Sequence, residues 1–242
     1  SFYVKAKGTT RAQLDKISGT VSATLATNKD AGNEITLIAG GNVRGQLENG
    51  SLPKIGGMVE FRYQDWLKGS VTLDDGPLDH MVGKATDGIT KRKEVKPPFT
   101  VVEGNLQVDF DTKKSLAEAP FSANLVWEYE GWLGGSVTVD AGSTFANLNG
   151  DAVGVLKQEK ILNDVTLLRG GNVRVKVVAS APDSFGGDLN WKYQDWLGGT
   201  IAIADGSKLD TVTGKGTASV LADKPLGDFT LKAGGSVEAN LA

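Results

Sequence analysis

The sequence predicts an all-β protein: about fifteen antiparallel strands in tandem repeats of about 65 residues, forming an elongated sandwich or solenoid-like stack. Three observations lead there. A fifteen-residue motif recurs, apolar and polar residues alternate with period two, and 32 of the 242 residues are glycine. Arg62 to Gly76 reads RYQDWLKGSVTLDDG and Lys192 to Gly206 reads KYQDWLGGTIAIADG, identical at eight of fifteen positions. Between them, Glu128 to Gly142 reads EYEGWLGGSVTVDAG. The central tryptophans Trp66, Trp132 and Trp196 are 66 and 64 residues apart. Two further markers keep the same period. One is a glycine pattern at Ala39–Val43, Val102–Leu106, Arg169–Val173 and Ala233–Val237. The other is an apolar pair, Leu14/Ile17, Leu78/Met81, Phe145/Leu148 and Leu209/Val212.

The expected strands follow in order. The chain opens on Phe2, Val4 and Ala6, the last strand of a preceding unit. The first strand of a unit alternates small and apolar residues: Ile17, Gly19, Val21, Ala23, Leu25 in one copy, and Val212, Gly214, Gly216, Ala218, Val220 in the last. A polar turn follows. The second strand runs through Val165 and Leu167, the glycine pair, then Val173, Val175 and Val177. The third carries Leu189, Trp191 and Tyr193, and the fourth Ile201 and Ile203. Links rich in Gly, Asn, Asp and Pro are short, so successive strands are antiparallel neighbours. No sustained 3.6-residue period exists, so helices should be few. The repeats are 1–76 (with the end of a preceding unit), 77–142, 143–206 and a partial copy 207–242, here called the first to fourth copies. A chain that starts on Ser and cuts across its repeat is expected of a piece of a longer array, or of a subunit whose edge a neighbour completes.

Parity gives the glycine pair a meaning. Apolar residues keep odd numbers across Gly170-Gly171. In the second copy, Phe99 and Val101 are odd while Leu106, Val108 and Phe110 are even. One extra residue in a strand is a β-bulge. A bulge is therefore expected at Gly40-Gly41, Gly170-Gly171 and Gly234-Gly235, and a straighter strand at Glu103-Gly104. A phosphate-cradling loop fails because no helix start follows the glycines.

The candidate binding residues are Tyr63, Trp66, Tyr129, Trp132, Tyr193 and Trp196. Each Trp is out of phase with its strand, so it sits in a turn. One reading is a corner Trp folded over the end of the sheet. The other is a spaced aromatic platform for sugar rings, with Asp65 and Asp195 as polar neighbours. The middle copy replaces Gln-Asp by Glu130-Gly131, so its site would differ.

Composition excludes more than it assigns. There is no Cys, so disulfides, thiolate zinc sites and Cys nucleophiles are excluded; the single His80 excludes a two-His metal site. His80 lies in a loop without a Gly-x-Ser-x-Gly elbow, where a solvated histidine is the expectation. Asp74-Asp75-Gly76 and Ala204-Asp205-Gly206 lack calcium-loop spacing and read as turns. Lys91-Arg92-Lys93 reads as a solvated loop. No catalytic residue, metal or cofactor is expected. A net charge of −3 argues against nucleic acid, and no apolar run reaches the ~18 residues of a membrane helix. One apolar face must be covered. A barrel, a two-sheet packing and a repeat stack all do this, and the repeat period favours the stack or an elongated sandwich.

Leu209–Leu221, Ala233–Val237 and Tyr193–Asp205 carry the patterns LDxVxGxAxAxLL, AGGxVxV and YxDWLGGxVxxD. In this style the chain resembles β-strand repeat regions of very large bacterial proteins associated with extracellular contractile injection systems. The resemblance covers nearly the whole chain and implies a bacterial, extracellular or cell-surface scaffold. The expected function is a non-catalytic structural module whose partners are protein: itself, or neighbouring repeats of a longer chain. Two alternatives are a carbohydrate-binding module with glycan as partner, and a carrier whose apolar groove takes a lipid or a protein client.

Overall fold

The computed structural model describes residues 18–32, 34–49, 51–144 and 146–241; the side chains of Val95, Lys96 and Leu116 are not described. The expected opening strand at Phe2 to Ala6 and the pair Leu14/Ile17 lie outside the described residues. Among the described residues there are 21 strands and one 3-10 turn, Leu116–Glu118. Nineteen strands belong to one largely antiparallel sheet that does not close into a barrel. The remaining two, Lys224–Leu226 and Phe229–Leu231, pair only with each other.

The strand count exceeds the expected fifteen for one reason. The link after the first strand of each copy is itself a short hairpin: Lys29–Gly32 with Ile35–Leu37, Lys93–Lys96 with the start of Phe99–Asp111, Lys160–Leu162 with Val165–Leu167, and Lys224–Leu226 with Phe229–Leu231. Strands of three or four residues are too short to show a period.

The chain divides into two compact units, residues 1–87 with 107–119, and residues 88–106 with 120–242. In the first, Gly19–Thr24 pairs with Asn42–Glu48, which pairs with Ser51–Tyr63, which pairs with Leu67–Pro77. In the second, Phe121–Tyr129, Leu133–Ser143, Gly150–Leu156, Asn172–Val178, Ala181–Tyr193, Leu197–Ser207, Gly214–Val220 and Ser236–Leu241 pair in that order.

Register places the apolar residues on one face, because directly opposed residues share a side. In the second unit Leu125, Val137, Ala152, Val175 and Phe185 form one such row. Trp191, Gly199, Ala218 and Val237 form another. Large residues of the third strand therefore lie beside small ones on the fourth and the next first strand. The Trp127 ring reaches to within 3.6 Å of where a Cβ on Gly154 would sit. A Cβ on Gly135 or Gly199 would come within 1.7 or 1.8 Å of the carbonyl oxygen of Val153 or Thr217. The repeated GG of the WLGG motif is thus a site of close backbone approach.

The bulges stand at the three glycine pairs. Leu25, Leu156 and Val220 each oppose two glycines: the residue's N–H donates to the oxygen of Gly41, Gly171 or Gly235, and its oxygen accepts from the N–H of Gly40, Gly170 or Gly234. The first glycine of each pair has φ of 104°, 93° or 91°, a left-handed backbone that favours glycine. In the second copy, Phe99–Asp111 runs unbroken for 13 residues through Glu103-Gly104.

Burial is thin. The buried hydrophobic side chains among the described residues are Val101, Ala119, Phe121, Ala123 and Leu156. Trp127 stacks on Phe99 at 5.5 Å. Most of the remaining apolar face is half-buried under its own neighbours.

Candidate functional site

Each predicted Tyr/Trp pair occupies a three-residue hairpin loop. Tyr63 opposes Leu67, Tyr129 opposes Leu133 and Tyr193 opposes Leu197, leaving the Trp as the third loop residue. The first loop residue is left-handed in all three: Gln64 at 50°, Glu130 at 49° and Gln194 at 48°. Its N–H donates to a turn of the short hairpin: Gln64 to Glu34 O at 3.0 Å and Gln194 to Asp164 O at 3.0 Å. The Trp then folds back edge-on to its Tyr. Centroid separations are 6.1, 6.3 and 6.0 Å at interplanar angles of 76°, 84° and 86°. The structure brings Tyr and Trp together within each corner, on three separate loops.

All six rings are half-buried. Trp66 Nε1 donates to Gln64 Oε1 at 2.9 Å, and Trp132 Nε1 to Glu130 Oε2 at 3.0 Å. Trp196 Nε1 is buried without a hydrogen-bond partner.

A residue missed in the sequence completes these corners. Lys29, Lys93, Lys160 and Lys224 occupy one repeat position, at the start of the short hairpin. In the second unit, Lys160 Nζ lies 4.9 Å from the centroid of the Trp132 ring and Lys224 Nζ lies 5.5 Å from that of Trp196. The Lys belongs to the copy after the Trp, so each contact joins two successive repeats. Lys160 also meets Glu130 Oε2 at 3.1 Å. That hydrogen bond, with the one from Trp132, holds the Glu130 carboxyl below its ordinary range. The backbone closes the same joint: Lys157 N–H donates to Trp132 O at 2.8 Å, and Leu221 N–H to Trp196 O at 2.7 Å. The signal was four aligned lysines, visible only once the short hairpins are placed.

The opposite ends of the strands carry a second repeated joint. Met81 N–H donates to Thr112 Oγ1 at 2.9 Å, and Leu148 N–H to Ser180 Oγ at 2.9 Å. Met81 and Leu148 are the apolar markers of the sequence. His80, expected as a solvated loop histidine, is half-exposed and also hydrogen-bonded: its Nε2 lies 2.9 Å from Asp111 Oδ1, and its backbone N–H donates to Pro77 O. The Lys113 backbone N–H, and then His80, hold the Asp111 carboxyl low.

The polar face carries ion pairs. Arg44 meets Asp75 at 3.3 Å, and the repeat equivalents Arg174 and Asp205 meet at 2.9 Å. Arg92 and Lys157 both bind Glu128, and Lys157 lies 2.6 Å from it. Arg92, expected in a solvated loop, is therefore paired. In the first unit the apolar face bears an open groove of about 310 Å³ lined by Val21, Leu25, Leu37, Val43, Leu52 and Val59 among others. No group of three or more His, Cys, Asp and Glu that could hold a metal ion occurs among the described residues. No helix among them is long and apolar enough to cross a membrane.

No protein-family model, curated protein or solved structure matches the chain.

Proposed function

We propose that this chain is a non-catalytic structural repeat module of a bacterial extracellular or surface assembly, acting through shape and protein–protein contact. The observation that carries the reading is the joint at the aromatic corners. Lys160 and Lys224 sit on Trp132 and Trp196 of the preceding copy, so these corners are used to join repeats. A cation over a Trp face contributes about 0.5–2 kcal/mol and occupies a face that a sugar ring would need. The test is association of the purified chain, followed by light scattering and electron microscopy. Ordered, concentration-dependent assemblies are expected. A strictly monomeric chain whose Trp fluorescence responds to a glycan would favour the carbohydrate reading instead.

A second reading rests on the groove lined by Val21, Leu37 and Val59. An apolar groove of that size suits part of an acyl chain, and the protein would then be a lipid carrier. Native mass spectrometry with bound lipid supports it; lipid-free protein after exposure to a membrane extract discards it.

A further inference from the structure

The polar face of the second unit carries an apolar island at the junction of the second and third copies. Val126 of the second copy opposes Ser136, which opposes Val153 of the third. Two residues on, Glu128 opposes Gly134, which opposes Val155. Directly opposed residues share a side, so the three valines lie on the face that bears Glu128 and Arg174. Ile161 extends the island onto the short hairpin, where it opposes Thr166, which opposes Lys192. Val155 is 37% and Ile161 71% exposed, and Val126 and Val153 are half-buried. Gly150–Leu156 is paired on both sides, by Leu133–Ser143 and Asn172–Val178, so the island lies inside the sheet and not at a strand edge.

The other copies show that the fold does not require these residues. Val126 stands where they have Glu60 and Asn190. Val153 stands where they have Ser22, Thr86 and Thr217, and Val155 where they have Thr24, Gly88 and Ser219. Ile161 stands where they have Asp30, Glu94 and Pro225. None of these is Val, Leu or Ile. The other two junctions carry a hydroxyl pair: Ser70 Oγ lies 3.1 Å from Thr86 Oγ1, and Thr200 Oγ1 lies 2.8 Å from Thr217 Oγ1. Val153 has no hydroxyl with which to make that bond. Apolar residues gathered on a solvent-facing surface, at positions where the same fold elsewhere is polar, mark a contact site.

The rim says what kind of partner fits. Arg92 and Lys157 pair with Glu128, Lys160 with Glu130, and Arg174 with Asp188 and Asp205. Four cations thus stand among four anions, with no net field for a partner of one sign. Such a surface fits its own image. Turned about a two-fold axis, the cations of one copy meet the anions of the other while the apolar residues meet at the centre.

We propose that Val126, Val153, Val155 and Ile161 form a two-fold contact surface for a second copy of this chain. The proposal rests on the protein-contact reading for its class of partner. It adds one site, which closes on a pair and does not build an array.

The test is sedimentation velocity of the full chain across a concentration series. A monomer–dimer equilibrium in the micromolar range is expected for so small an apolar centre. The variant Val153→Thr, Val155→Thr, Ile161→Asp installs residues that other copies hold at these positions. It should keep the parent's circular dichroism and urea midpoint, and associate at least about tenfold more weakly. Ile161→Asp alone, at the most exposed of the four, should weaken the dimer in the same direction. Leu209→Asp, which removes an 82% exposed apolar residue elsewhere, should leave the dimer unchanged. A parent that stays monomeric at its highest soluble concentration overturns the proposal and gives the island to a different occupant. A dimer that the triple variant leaves intact, or that Leu209→Asp weakens as much, also overturns it. Dimers that never grow into ordered assemblies retain this surface and lose the scaffold reading. Ordered assemblies that form equally well from the triple variant do the reverse.

Discussion

The carboxylate of Asp205 lies over Gly186, so close that a Cβ on Gly186 would sit 2.1 Å from Asp205 Oδ1. From there Asp205 reaches Arg174 across an intervening strand. The first copy repeats this: a Cβ on Gly56 would sit 1.9 Å from Asp75 Oδ1, and Asp75 bonds Arg44. The second copy has Ser122, Ala141 and Gln107 at the three positions. Glycine, aspartate and arginine are present together or absent together.

Gly186→Ala should therefore destabilise by about 1–2 kcal/mol, because it displaces Asp205 and crowds its backbone. The exposed ion pair itself contributes little, about 0–1 kcal/mol. In an Asp205→Ala background the cost of Gly186→Ala should shrink. A double-mutant cycle in urea checks this, with a coupling of at least about 0.5 kcal/mol expected. Additive costs would contradict it.

Asp87 occupies a repeat position held by Ala23, Gly154 and Ala218 in the other copies. Its Oδ1 is buried without a hydrogen-bond partner, and burial raises its carboxyl above the ordinary range. Asp87→Ala should stabilise at pH 7 by about 1 kcal/mol. A raised carboxyl binds its proton more readily in the folded chain, so its contribution to stability falls as pH rises through the folded value. The advantage of the variant should thus diminish as pH drops toward 4. Melting curves of both proteins from pH 4 to 7 measure the difference, and a constant gap would refute the assignment.

Glu128 carries the opposite sign. Hydrogen bonds from Lys157 and Arg92 hold its carboxyl low. Its contribution is present above the ordinary carboxylate range and is lost as pH falls through the folded value. Glu128→Gln should cost about 0.5–1 kcal/mol at pH 7. It should approach the parent in acid, as read by melting temperature against pH.

At the first bulge glycine of the third copy, Gly170→Ala should cost about 1–2 kcal/mol, since φ there is 93°. The equivalent change at Gly171, where no left-handed φ is required, should act through crowding of Leu189 and the Asp188 carbonyl instead. Chemical denaturation of the two variants separates these effects: Gly170→Ala in the absence of any crowding contact should still be destabilised.

At the aromatic corner, Trp132→Ala should cost about 2 kcal/mol and Lys160→Gln less than about 1 kcal/mol. Fluorescence of the remaining tryptophans and urea midpoints report both. A Lys160 substitution as costly as that of Trp132 would mean that the cation, and not the ring area, holds the joint.

Much of this architecture was legible in residue spacing. The tryptophan corners, the antiparallel order and the bulges follow from period and parity along single strands. What stayed hidden depends on register between strands. Lys160 meets a Trp 28 positions earlier, and His80 meets Asp111 31 positions later. Neither distance is readable from local alternation. Asp87 looks ordinary in a polar stretch until pairing sets it opposite Gly69 and among the small residues of the other copies. The short hairpins escaped because strands of three or four residues carry too little pattern.

Similar repeats in one chain invite a strand to pair with the wrong sibling. The two-against-one count at Gly40-Gly41, Gly170-Gly171 and Gly234-Gly235, set against the unbroken Phe99–Asp111, gives the second copy a different notch from the rest. A partner strand exchanged between the second copy and any other arrives one residue out of step, turning its apolar side chains toward the polar face. The glycine pairs thus set the second copy apart from the other three while the chain folds.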